Sequence, residues 1–108
     1  MIEFRDASQG PPPAGREESL ALLEEFHSFP GPYMFKIIGY DSGDFAGQAR
    51  QAAEGVLGPL GEDGCLRCRP SSGGRYLAVT LEAELASAEQ VLEVYEALKG
   101  LEGLVALI

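Results

Sequence analysis

Between Arg75 and Leu85 the chain alternates: Leu77, Val79, Leu81, Ala83 and Leu85 are apolar, and Ala78, Thr80, Glu82 and Glu84 stand between them. A period of two sustained over this length predicts a strand covered on one side only. Tyr33 to Tyr40 is rich in aromatic and branched residues and carries one charge, which predicts a central strand. Its Tyr33, Phe35 and Ile37 share one face, and its Met34, Lys36 and Ile38 share the other. Phe45, Ala49, Ala52 or Ala53, Val56, Leu57 and Leu60 recur at helical spacing, predicting an amphipathic helix over roughly Asp44 to Leu60. Gly47, Gly55 and Gly58 weaken this helix, and Pro59 frays its end. Cys65 to Arg69 reads as a short strand and Ser71 to Gly74 as its hairpin link to the long strand.

Downstream, Ser87 and Gln90 have the spacing of a capping box, and Val91, Val94, Tyr95 and Leu98 form a stripe opposite Glu89, Glu93 and Glu96. Gly100 is expected to end that helix, and Leu104 to Ile108 to form a last strand. Upstream, Ser19 is expected to cap a short helix, with Leu20, Leu23 and Phe26 or His27 on one side, stopped by Pro30 and Pro32. Phe26, Phe29 and Tyr33 are expected to pack this segment onto the domain. From Tyr33 the order is strand, helix, strand, strand, helix, strand. That order predicts an α+β, ferredoxin-like βαββαβ domain: a four-stranded antiparallel sheet with two helices on one face, preceded by the short helix. Residues 1–18, with Gly10, Pro11, Pro12, Pro13 and Gly15, read as a disordered lead, and residues 19–108 as a single domain.

Charge narrows the partners. Seventeen acidic against eight basic residues give a net charge of -9 over the 108 residues, which repels phosphate backbones and anionic membranes. No apolar run approaches the roughly 18 residues of a membrane helix. Met1 to Asp6 lacks a basic region followed by an apolar one, so the expected location is the cytoplasm.

Two blocks resemble the YbeD-like family of short bacterial proteins, domain of unknown function family 493. The first is Phe29-Pro30-Gly31-Pro32-Tyr33-Met34-Phe35-Lys36-Ile37-Ile38-Gly39, and the second is Pro70-Ser71-Ser72-Gly73-Gly74-Arg75-Tyr76. The helix at Glu89 to Leu98 adds support, and coverage runs from about Leu20 to Ile108. The resemblance implies a ferredoxin-like fold similar to ACT-type regulatory domains, with no established enzymatic activity and no catalytic residues to carry over.

Candidate chemistry is sparse. Cys65-Leu66-Arg67-Cys68 is a CxxC, but it reads as a strand, where positions i and i+3 point to opposite faces. A redox pair sits instead at a helix N-terminus, and zinc needs four ligands where only His27 adds to the two thiols. Incidental reduced thiols are the expected reading, with no metal and no cofactor. His27 has no nucleophile beside it in the chain and reads as a packed or exposed histidine.

Alternation puts Arg67 and Arg69 on one face, and pairing with the central strands brings Lys36 and Tyr76 there. One reading is a basic and aromatic patch suited to an anion or an acidic partner segment. The other is ordinary cross-strand pairing with Glu82 or Glu84. Gly39, Asp41 and Gly43 occupy the strand-to-helix link where ACT-type domains bind amino acids between subunits; Ser42 stands where that pattern has a proline, and turn geometry alone also explains the glycines. Ser71, Ser72, Gly73 and Gly74 read either as a cradle for an anion or as a plain hairpin. RNA-recognition domains share this fold and stack bases on sheet aromatics, but Gly74 to Val79 lacks the further aromatics and the net charge opposes RNA.

The expected function is a non-enzymatic regulatory or adaptor domain that contacts a protein partner or a second copy of the chain through its outer sheet face or an edge strand. The alternative is an ACT-like sensor of an amino acid or other metabolite.

Overall fold

The computed structural model describes residues 15–60 and 65–108. The elements follow in the order α1 (Arg16–Phe26), β1 (Gly31–Tyr40), α2 (Phe45–Leu57), β2 (Cys65–Pro70), β3 (Tyr76–Leu85), α3 (Ala88–Lys99) and β4 (Leu104–Leu107). The strands form one antiparallel sheet in the order β2-β3-β1-β4. This is the ferredoxin-like arrangement read from the hydrophobic pattern.

The β1–β3 ladder is the longest, running from Gly31 opposite Leu85 to Tyr40 opposite Tyr76. Its inward rows supply the core: Phe35 and Ile37 from β1 with Val79, Leu81 and Leu85 from β3 are fully buried. Above them α3 lays down Val91, Val94 and Leu98, also fully buried. The second helix adds Ala49 and Ala53, small residues that let α2 and α3 pack side by side.

Helix ends follow local chemistry. The Asp44 carboxylate accepts the Gly47 amide at 3.1 Å and starts α2; Gly58, at φ 81°, ends it before Pro59. The Leu60 amide then donates to the Glu54 carboxylate at 3.0 Å, which holds the chain leaving the helix. At α3 the Ser87 hydroxyl accepts the Gln90 amide at 3.2 Å, while the Gln90 side chain reaches back to the Ala86 amide at 2.7 Å. The reciprocal pair is thus offset by one residue from the usual capping box.

Two expectations about the leading segment are corrected. Ser19 does not cap α1: the helix begins three residues earlier with Gly15 at its N-cap, and the Ser19 amide donates to the Gly15 carbonyl inside the first turn. Arg16, Glu17 and Glu18 are good helix formers, and the two acids suit the positive end of the helix dipole, so no side-chain cap is needed. Phe26 does not pack onto the domain, being 73% exposed. It is the last residue of α1, where the chain turns to extended backbone at His27, and Leu23 one turn earlier takes the buried place. Phe29 and Tyr33 do join the core, and the half-buried His27 ring lies 4.8 Å from the Tyr33 ring. The remainder of the expected lead, residues 1–14, lies outside the described residues.

Candidate functional site

Since the core lies on one side of the sheet, the outward rows of every strand share the other side. The ladders set those rows: Arg67, Thr80 and Lys36 form one, Arg69, Ala78, Ile38 and Ala106 the next, and Tyr76 stands opposite Tyr40 at the end. The four residues read as a basic and aromatic patch, Lys36, Arg67, Arg69 and Tyr76, are therefore brought onto one face.

They are not equivalent. The Arg67 guanidinium donates to the Glu82 carboxylate at 2.6 Å across the β2–β3 ladder, the ordinary cross-strand pairing. Lys36 and Arg69 have no carboxylate partner among the described residues. Two free cations thus flank a face that also exposes large apolar groups, with Met34 46%, Tyr40 49% and Val105 43% accessible. The Tyr40 and Tyr76 rings lie 5.5 Å apart, tilted by 34°.

Between them the surface is concave. A groove of about 520 Å³ is lined by Ile38, Ala78, Val105, Tyr76, Arg69 and the hairpin residues Pro70, Ser71 and Ser72. Its origin is local: Ala78, on the inner strand β3, is too short to fill the space between the Arg69 and Ile38 side chains of its own row. The hairpin closes one end and is itself fixed, because the Ser71 hydroxyl accepts the Tyr76 amide at 3.1 Å and the Ser71 carbonyl accepts the Gly74 amide at 2.9 Å.

Sequence reasoning missed the walls. Val105 was unreadable because a four-residue strand of apolar residues does not disclose its outer face, and the β1–β4 register also shifts between Ile38 and Gly39. Ile38 and Ala78 were legible as outward positions, but a groove is a property of three strands together.

The second candidate group is dispersed. Gly39 faces the core, where a Cβ would overlap the Phe45 ring, so it serves packing of α2 onto the sheet. Asp41 is exposed, its amide donating to the Arg75 carbonyl at 2.9 Å and its carboxylate making no hydrogen bond among the described residues. Gly43 adopts φ 61°, a turn requirement. This link lies at the same end of the sheet as the hairpin but lines no part of the groove.

In the CxxC, the ladder sets Cys65 opposite Glu82 and Cys68 opposite Val79, a polar and a core position of β3 respectively. Among the described residues no group of three His, Cys, Asp or Glu side chains is placed to hold a metal ion. No helix among them is long and apolar enough to cross a membrane.

Known proteins bear on this arrangement. The solution structure of protein HP0495 from H. pylori superposes with a TM-score of 0.60 over 97% of this chain and 96% of that one, at 11% sequence identity, a likeness of fold alone. UPF0250 protein RSc0326 of Ralstonia nicotianae is 33% identical over 93 residues, which cover 86% of this chain and 88% of that protein. Residues 24–107, from the end of α1 through β4, match the family model described as "Protein of unknown function (DUF493)". The resemblance carried by the two sequence blocks is thereby established, and the chain belongs to the DUF493 family.

Proposed function

We propose that this chain acts by binding and not by catalysis, as a regulatory or adaptor domain that receives a protein partner on the open face of its sheet. One observation carries the reading: the helices cover one face, and the other presents Met34, Tyr40 and Val105 beside Lys36 and Arg69, cations with no carboxylate partner among the described residues. Apolar groups rimmed by charge in this way mark interaction surfaces. The net charge of -9 directs the surface toward proteins and away from nucleic acid and anionic lipid.

The test is capture from lysate on the immobilised chain and on a Lys36→Glu, Arg67→Glu, Arg69→Glu variant, both checked as folded by circular dichroism. A protein retained by the first, absent from the second and rebinding when purified supports the reading. The same proteins on both, or none on either, removes the open face from consideration.

The size of the groove, about 520 Å³, supports a second reading, a small-metabolite sensor. In that case an amino acid or organic acid raises the melting temperature saturably, and the response depends on Arg69 and not on Asp41.

A further inference from the structure

The identity of the partner segment follows from the chemistry of the groove. We propose that the groove takes an extended acidic segment of a partner protein, with a carboxylate on Arg69, a large apolar side chain over Ile38 and Ala78, and a second carboxylate toward Lys36. This rests on the open face being the binding surface.

Charge complementarity identifies the occupant. Of the three cations on the face, Arg67 is already neutralised by Glu82, which leaves Arg69 at the groove and Lys36 one row further along. A guanidinium against an apolar floor calls for a carboxylate with an apolar neighbour, since the fork of Arg pairs two carboxylate oxygens at once. The groove also excludes some of the water that weakens such a pair. At the hairpin, the Ser71 hydroxyl is engaged by the Tyr76 amide, and that of Ser72 makes no hydrogen bond among the described residues, so it can donate to the same carboxylate.

Dimensions favour a segment over a free metabolite. The exposed row does not stop at the groove but continues along β1 from Tyr40 through Ile38 and Lys36 to Met34, about 20 Å at strand rise. Arg69 and Lys36 are two strands and one row apart, a diagonal of about 12 Å from strand spacing and rise. In an extended chain that is the separation of residues i and i+4, with the side chain of i+2 on the same face. Two of the 17 acidic residues stand on this face: Glu82, paired with Arg67, and Glu84, three rows beyond Arg69 and opposite Pro32. The field of the more distant acids is screened beyond about 10 Å at 0.1 M salt, whereas the contact with Arg69 is not.

The experiment is selection from a displayed library of random eight-residue peptides at about 0.15 M salt, on the wild-type chain and on Arg69→Gln and Arg67→Gln variants. Enriched sequences carry Asp or Glu two positions from a large apolar residue, with a second acid two beyond. Synthesised, such a peptide binds Arg69→Gln at least tenfold more weakly and Arg67→Gln within about twofold, and shifts the amide resonances of Ile38, Ser72, Tyr76, Ala78 and Val105. Neutral or basic selected sequences, no enrichment, or equal loss in both variants would overturn the proposal. Displacement of the peptide by free glutamate or phenylacetate at comparable concentration also overturns it, in favour of a small acid. Captured partners that depend on the open face but lack acidic segments would leave the adaptor reading standing and this inference fallen.

Discussion

The hydroxyl of Tyr33 on β1 lies 3.2 Å from the hydroxyl of Tyr95 on α3, a buried hydrogen bond between residues 62 positions apart. It is a polar fastening between the sheet and the helix above it, in a core whose other buried side chains, among the described residues, are aliphatic or aromatic.

Alkaline stability reports on this pair. Burial first, and then the hydrogen bond to Tyr33 and the proximity of a second phenol, raise the Tyr95 hydroxyl well above the ordinary tyrosine range. In the unfolded chain the same phenol ionises from about pH 10. The folded state therefore retains a proton that the unfolded state loses, and stability, fully present below about pH 10, falls as pH rises beyond it. Urea titrations of wild type and Tyr95→Phe are expected to differ by about 1 kcal/mol at pH 7 and to converge above pH 10. Parallel curves over that range would contradict the assignment.

Gly39 answers for the seat of α2. With a Cβ overlapping the Phe45 ring, Gly39→Ala is expected to cost about 1–3 kcal/mol, lowering the melting temperature by several degrees. A Gly39→Ala, Phe45→Leu double variant makes room for the methyl and recovers part of the loss. Calorimetry of the two variants measures the coupling, and additive losses would show that the overlap is not the cause.

Arg67 and Glu82 form an exposed pair, with side chains 61% and 37% accessible. A double-mutant cycle with Arg67→Gln and Glu82→Gln is expected to give a coupling of about 0.2–1 kcal/mol, smaller in 0.5 M salt. A coupling unaffected by salt would mean that the pair is less solvated than its exposure indicates.

The Ser87 hydroxyl accepts the Gln90 amide, one of the first-turn amides of α3 that has no partner within the helix. Ser87→Ala is expected to destabilise by about 1 kcal/mol, and Ser87→Asp to restore most of it. Equal stability of all three proteins in chemical denaturation would rule out the cap as a contributor.

The architecture was legible because both strand periodicity and helix stripes are set by one covered face. Phe35, Ile37, Val79 and Leu81 announce themselves by alternation and are all fully buried, and Val91, Val94, Tyr95 and Leu98 do so by helical spacing. What escaped were features that depend on three dimensions at once. Phe26 lost its place because α1 ends on it and the chain leaves the helix at His27, a boundary that a list of apolar residues does not display. The groove arises from Ala78 lying between Arg69 and Ile38, residues brought together only by register. Lys36, Arg67 and Arg69 were readable as one face, but which of them Glu82 would neutralise depended on a diagonal contact across β2 and β3.

The long β1–β3 ladder also has a kinetic consequence. Each β1 residue pairs with one 36 to 54 positions downstream, whereas β2 and β3 are joined by a tight hairpin. Loop closure must therefore precede most of the sheet's hydrogen bonding, which slows folding relative to a chain of local contacts. The β2–β3 hairpin can form early, but neither it nor α2 has a completed core to rest on until β1 arrives. Truncations at Phe35 or Leu81, opposite one another in that ladder, are accordingly expected to slow refolding, while Ser87→Ala acts mainly by hastening unfolding.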